Sequence, residues 1–272
     1  MKRLINNHPD RYLRIILGAL PFILILAIYV ISSNARLAEN PRDKLLPSIN
    51  SMASAVDKLA LEPSKRSGQY LFWSDTGASL TRLGLGISIS ALIGLIFGII
   101  NGAIPYLRAN LSPFITAFSL IPPLAILPIL FIVFGLGELS KVVLIAIGIT
   151  PFIMRDMQGK VMELPAEQMI KAQTLGASSW LVIIRVVLPQ VMPRLIDALR
   201  LSLGAAWLFL IAAEAIAASD GLGYRIFLVR RYLAMDIILP YVIWITFLSF
   251  FTDYLLKTLS ERLFPWFHAA AK

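Results

Sequence analysis

Glu214 is the one carboxylate that lies well inside a long apolar run of this chain, Leu201 to Ala218. An ionisable group inside a membrane is costly, so it faces either a cavity or a partner that satisfies it. Two roles fit: a group on a solute pathway or gate, or a structural ion pair or hydrogen bond, with Arg225 as a candidate partner. The residue alone leaves both open. Asp220, Gly221, Leu222 and Gly223 follow as a turn, and Arg225, Arg230 and Arg231 after them read as a solvated interfacial helix. Glu138 and Lys141 are spaced as an exposed pair worth under about 1 kcal/mol. Asp197 and Arg200 are expected to pair at the other end of the Glu214 run.

Other chemistry has little to build on. There is no cysteine, and the two histidines, His8 and His268, lie near the termini. Neither a thiolate metal site nor a histidine-based dyad is expected, and no catalytic residue is assigned. No G-x-x-x-x-G-K-[ST] phosphate loop occurs, so the chain is not expected to hydrolyse ATP itself. Gly135/Gly137 and Gly221/Gly223 lack a strand-to-helix context and read as turns.

The elements that must position these residues are membrane helices. The chain has 272 residues, 58% hydrophobic and only 15% charged, with a mean hydropathy of +0.77. A spanning helix needs about 20 apolar residues. Six spans are predicted: 15–31, 83–104, 114–134, 139–154, 201–218 and 237–256. The formal charge of +9 flanks these spans, which points to orientation in a bilayer rather than to nucleic acid. With both termini in the cytoplasm, 14 Lys/Arg fall inside and 5 in short outer loops. Ala35-Arg36-Leu37 is a poor cleavage site, so the first span is expected to be retained. A small amphipathic helix is predicted at Ile49 to Leu61, and Tyr70 and Trp73 suit the membrane interface.

Two spans carry further patterns. In the second, Gly86, Ser90, Gly94, Gly98 and Gly102 recur every four residues, which places small residues on one face for close helix packing. In the third, Pro122, Pro123 and Pro128 break the backbone ladder. Such a break is tolerated beside protein or a water-filled cavity, so it marks either a translocation path or a structural kink.

The segment 155–195 is too polar to span. Two short helices are predicted there, Ala166 to Leu175 and Ser178 to Val187. Gly176 suits a left-handed cap on the first, and Pro189 is expected to end the second. The result is a compact knob on the cytoplasmic side.

At KAQTLGASSWLVIIRVVLP (Lys171–Pro189) the chain resembles the coupling loop of binding-protein-dependent permeases. Gly176-Ala177 and Leu188-Pro189 match the signature of that loop. Further matches are ASLTR (Ala78–Arg82), PPLAILP (Pro122–Pro128), FGLGELSK (Phe134–Lys141) and AAEAIAASDGLG (Ala212–Gly223). Together they are similar to the nitrate, sulfonate and taurine permease family, over about Leu46 to Trp266. The signature has a Glu six residues before the Gly, where this chain has Ile170, which puts a polar contact to the ATPase in doubt. Arg185, Glu167 and Glu163 are candidates to compensate.

The resemblance implies an all-α integral membrane protein with the type I ABC importer permease fold. It implies a second permease copy, two ATPase subunits that bind ATP and Mg, and a periplasmic or lipid-anchored solute-binding protein. The setting would be the bacterial inner membrane. ATPase coupling would fall to Lys171, Ala172, Gly176, Ala177, Ser178, Leu188 and Pro189. Pathway or gate candidates are Pro122, Pro123, Glu214, Gly221 and Gly223. The cargo would be nitrate, taurine or another sulfonate. The runs LPILFIVFGLGELSKVVLI and DGLGYRIFLVRRYLAMDIILPY look closer to a subgroup associated with urea- or guanidine-degrading carboxylases, which would make it a small nitrogen compound such as guanidinium. Rival classes are a secondary transporter and a non-transporting membrane scaffold.

Overall fold

A computed structural model describes residues 9–41, 43–65 and 67–269; His8 lies outside the described residues. In chain order the helices are α1 (Arg11–Glu39), α2 (Ile49–Leu61), α3 (Leu71–Ala103), α4 (Pro105–Ser119), α5 (Leu127–Phe134), α6 (Glu138–Met162), α7 (Ala166–Thr174), α8 (Ser179–Val182), α9 (Leu188–Ala217), α10 (Leu222–Arg230), α11 (Met235–Leu263) and α12 (Pro265–Ala269). No strand occurs among the described residues.

Four helical stretches are long and apolar enough to cross a membrane: α1, α3, the run Ser179–Ala217 and α11. The α4–α5 pair adds a fifth if counted as one span. Of the six expected spans, α6 is set apart by its charges. They sit in its first turn and its last two turns, leaving Val142–Met154 apolar between them. At 25 residues it is about 37 Å long, longer than the roughly 30 Å hydrocarbon core.

Two boundaries differ from expectation. The second span was predicted from Leu83, but α3 starts at Leu71. It passes through Asp75 and Arg82 because other helices supply partners for both. The third was predicted over 114–134 with a break at its prolines; the helix starts earlier, at Pro105, and α4 and α5 meet at an 80° bend, joined by a single 3-10 turn, Pro123–Ile126. Consecutive prolines at 122 and 123 cannot donate to the preceding turn, so the ladder stops there. The predicted outer helix appears as α2, capped by Ser48, whose Oγ accepts from the Ser51 N–H at 3.1 Å.

The core is α6 held between α3 and α9. On the α3 side the small-residue stripe is buried and forms the seam. A Cβ added at Gly86 would lie 2.7 Å from Ile145 Cβ, one at Gly94 2.5 Å from Ile153 Cγ2, and one at Gly102 2.5 Å from Val161 Cβ. Gly98 packs as tightly on Met157. On the α9 side, Ala198, Ala206, Leu210 and Ala213 are buried. Lipid offers apolar side chains as much as another helix does, so close van der Waals packing has to supply the association. By contrast α1 shows its apolar residues outward and buries only Ser33. It is tied down at Tyr29, whose hydroxyl donates to the Pro47 carbonyl at 2.7 Å, and at Ser33, which donates to Leu46 at 2.9 Å.

The seam gives a stability prediction. Gly98→Val should lower the melting temperature of the detergent-purified protein, consistent with overpacking costs of about 1–3 kcal/mol or more. Gly84→Ala, on the same helix with open space around it, should not lower it and is expected to raise it slightly, since alanine is the better helix former. Equal melting of both variants in a thermal-shift assay would contradict the seam.

Candidate functional site

Three places concentrate polar groups or open space: a buried charge knot, a cavity at the α4–α5 bend, and the α7–α8 knob.

The knot begins at Arg82, which α3 carries only 3% exposed. Its Nη1 donates to Glu214 Oε1 at 2.7 Å and to the Asp220 carbonyl at 3.0 Å. Its Nε and Nη2 donate to Glu138 at 2.5 and 2.8 Å, and Nη2 also reaches the Asp220 carboxylate. Glu214 is 0% exposed. Its carboxylate further accepts from Ser79 Oγ at 2.8 Å and from the Gly223 N–H at 2.8 Å. Lys141, buried too, donates to Glu138 at 2.8 Å. A second cluster adjoins it. Asp75 accepts from Arg225 Nε at 2.7 Å, from the Gly221 N–H at 3.0 Å and from the Tyr241 hydroxyl at 3.2 Å.

The two glycines of the turn are required by contact. Gly221 has φ of +112°, and a Cβ there would lie 2.5 Å from the Glu214 carboxyl and 2.7 Å from Arg82 Nη1. A Cβ at Gly223 would lie 2.7 Å from the Ile211 carbonyl oxygen. The buried charges of the knot are therefore satisfied by protein, as the membrane interior demands.

Three expectations change here. The partner of Glu214 is Arg82, not Arg225. Arg225 is held by Asp75 instead of being solvated, because the N-terminal turns of α3 lie against the 220–223 turn. The pair Glu138–Lys141 is not an isolated exposed one, since Lys141 is buried and Glu138 also binds Arg82. At the other end, Arg200 does pair with Asp197, at 3.5 Å, but holds Asp253 of α11 more closely, at 2.8 Å. His268 makes a hydrogen bond with Ser260 at 3.1 Å. No group of three or more histidine, aspartate or glutamate side chains suited to a metal occurs among the described residues.

The cavity, about 590 Å³, lies where the α4–α5 break faces α6 and α9. Phe118, Pro123, Phe152 and Phe209 line it, with Arg155 and Asp156 also in its wall. Pro123 is the only pathway candidate in that wall, with Pro122 beside it at the break. Glu214, Gly221 and Gly223 sit together in the knot instead.

The knob is built by capping. After α7 the chain turns at Gly176, with φ of +86°. The Gly176 N–H donates to Gln173 at 2.9 Å and the Ala177 N–H to Ala172 at 3.0 Å, the paired bonds of a left-handed helix stop. Ser178 caps α8 by accepting from the Leu181 N–H at 3.3 Å. Pro189 does not end the second helix, contrary to expectation. A wide π turn over Ile183–Val187 precedes it and makes room for the missing donor, so the helix runs on through Leu188 and Pro189 into α9. Ile99, Val161, Val187 and Val191 cluster beneath the knob and anchor it to α3 and α6. Lys171 is exposed, as are the apolar Ile170, Leu175, Trp180 and Leu181.

Arg82, Asp75 and Arg155 were missed as site residues. For the first two the signal was present: Asp75, Ser79 and Arg82 continue the Gly86–Gly102 stripe along one face of α3.

Helices long and apolar enough to span a membrane, a structured knob and a bent, proline-rich segment are the architecture to set beside known membrane proteins. Residues 90–265 match the family of binding-protein-dependent transport system inner membrane components, and the chain belongs to that family. It is 38% identical over 195 residues to the taurine transport system permease protein TauC of Escherichia coli (strain K12), covering 71% of this chain and 70% of that protein. It is 31% identical over 189 residues to the putative aliphatic sulfonates transport permease protein SsuC of Bacillus subtilis (strain 168), covering 69% and 68%. It is 35% identical over 158 residues to the bicarbonate transport system permease protein CmpB of Synechococcus elongatus, covering 57% and 56%. These place it among nitrate, sulfonate and taurine-type permeases, as a permease subunit and not an enzyme. In fold it is similar to a chain of the inward-facing MetNI methionine ABC transporter, with a TM-score of 0.61 at 20% identity over 74% of this chain and 97% of that one.

The knot predicts that Arg82→Met costs about 3–5 kcal/mol, because it strands a buried carboxylate. In a double-mutant cycle read by thermal unfolding, Arg82→Met with Glu214→Gln should be less destabilised than the sum of the single variants. Strict additivity would mean the pair is not coupled.

Proposed function

We propose that the chain forms half of the pore of an ATP-driven importer for a small oxyanion of the taurine or sulfonate class. A second permease copy completes the pore. A separate ATPase grips the α7–α8 knob and supplies ATP and Mg, and a solute-binding protein delivers cargo on the opposite side. Both termini lie on the cytoplasmic side.

The observation that carries this reading is the knob. It is a capped helical turn, anchored by a buried apolar cluster, that presents Ile170, Leu175, Trp180 and Leu181 to solvent. Exposed apolar groups gathered outside the membrane mark a protein contact. Ile170, standing where the family signature has Glu, makes the contact apolar at that point. The names of the relatives support an anionic or zwitterionic cargo. The proposed orientation rests on the Lys/Arg count, 14 on the cytoplasmic side against 5 in the short outer loops.

A guanidinium-like cargo has less support, since Glu214 is sealed by Arg82 and the cavity carries an arginine. A secondary transporter would need ionisable groups free to bind a coupling ion. Glu214, the mid-membrane candidate, is already fully partnered.

The test is uptake of labelled taurine by liposomes holding permease, ATPase and binding protein. ATP inside should drive accumulation, and a proton uncoupler should not abolish it while ATP is held constant. Gly176→Val forces a β-branched residue into a left-handed conformation and should reduce uptake at least tenfold while membrane levels stay unchanged. Normal uptake and normal ATPase binding by that variant would refute the role of the knob.

A further inference from the structure

We propose that the cavity at the α4–α5 bend holds an anion subsite, with the Arg155 guanidinium as its cation and an aromatic wall for a short organic tail. The ligand class is a small monovalent organic anion, a sulfonate or carboxylate. This rests on the reading of the chain as an importer subunit and goes on to name the residue that recognises the cargo inside the permease.

Charge bookkeeping singles out Arg155. The cavity shares Arg155 and Asp156 with an adjoining pocket of about 260 Å³ that adds Lys160, Glu163 and Arg194. Asp156 is matched by Arg194, whose Nε and Nη2 donate to it at 2.8 and 2.6 Å. Lys160 is matched by Glu163 at 3.1 Å. Arg155 has no such partner. Among the described residues its one polar contact is Nη1 to Ser119 Oγ at 3.3 Å. A guanidinium has five N–H donors, so four remain for a ligand. Two parallel ones suit the paired oxygens of a carboxylate or sulfonate.

Ser119 is a positioning residue. Its hydroxyl donates to the Thr116 carbonyl at 2.8 Å, which turns its lone pairs toward Arg155 and fixes the arginine at the end of α4. Apart from Asp156, which Arg194 holds, the rest of the wall is apolar. Phe118 and Phe152 line it, and Phe209 joins them because α6 offers Gly148 at that level; a Cβ there would collide with the Phe209 ring. A single cation at one end of an aromatic-lined space matches an anion with a tail better than a bare inorganic ion, whose whole surface needs polar contacts.

The permease–ATPase complex, purified without the binding protein, tests this. Ethanesulfonate is the probe, ethylammonium the matched cation, and sodium chloride the control for ionic strength. Ethanesulfonate should raise the melting temperature of the wild-type complex beyond the salt control, and ethylammonium should not. Arg155→Gln should weaken the apparent affinity about tenfold or more, a loss of about 1.4 kcal/mol, while Arg155→Lys keeps part of the effect. Equal stabilisation by both probes, no stabilisation of the wild type, or an unchanged response in Arg155→Gln would overturn the subsite. Failure of the import reading looks different: the complete system would then accumulate no solute on ATP.

Discussion

The burial of Arg82 against Glu214 is the constraint from which the arrangement of the helices around the 220–223 turn follows. Neither charge can stand alone in an apolar interior, and neither is satisfied by one contact. Arg82 uses Nε and both terminal nitrogens; Glu214 draws on a guanidinium, a hydroxyl and a backbone N–H. To provide those groups α3, α6, α9 and the 220–223 turn must converge on one point. Gly221 and Gly223 are fixed by the same need, since a side chain at either would occupy the space of the carboxylate or of the helix that carries it. Ion pairs of this kind add less to stability than their number suggests; their effect is to make other arrangements of these helices costly.

One stripe on α3 serves both the knot and the core. Asp75, Ser79 and Arg82 lie toward its N-terminal end and Gly86 to Gly102 along the rest. The glycine register was legible because small residues at a spacing of four leave a clear pattern. Its polar continuation was not, because charge content ended the span at Leu83. Hydropathy treats a charge as a boundary. Whether a charge is a boundary or an interior contact depends on a partner, and Glu214 lies 132 residues away in sequence. The matched stretches ASLTR, FGLGELSK and AAEAIAASDGLG each contribute to the knot, so they are three sides of one site rather than three sites.

The prolines divide in the same way. Pro122 and Pro123 were read as a break, and the chain does break there, because two successive residues without donors leave no single turn able to absorb the defect. Pro189 was read as a stop, and the helix continues. One missing donor is absorbed by the π turn before it, where Gln190 Nε2 also donates to the Val186 carbonyl at 2.8 Å. Sequence places the defect; the neighbouring turns decide whether it becomes a bend or a bulge.

That bulge has a mechanical consequence. Because the helix is not interrupted at Pro189, α8 and α9 form one continuous rod, Ser179–Ala217, from the exposed Trp180 to the turn beyond Glu214. Ile99, Val161, Val187 and Val191 lock the base of the rod to α3 and α6, and the Arg82 knot locks its far end to the same two helices. The rod is therefore held to α3 and α6 at both of its ends. The α4–α5 segment is built differently. Its halves meet at a bend, and α4 reaches α3 and α6 through side-chain bonds such as Asn101–Ser112 at 3.1 Å and Arg155–Ser119 at 3.3 Å. The cavity lies where this bent segment faces α6 and α9, so its wall is shared between the packed core and the bend.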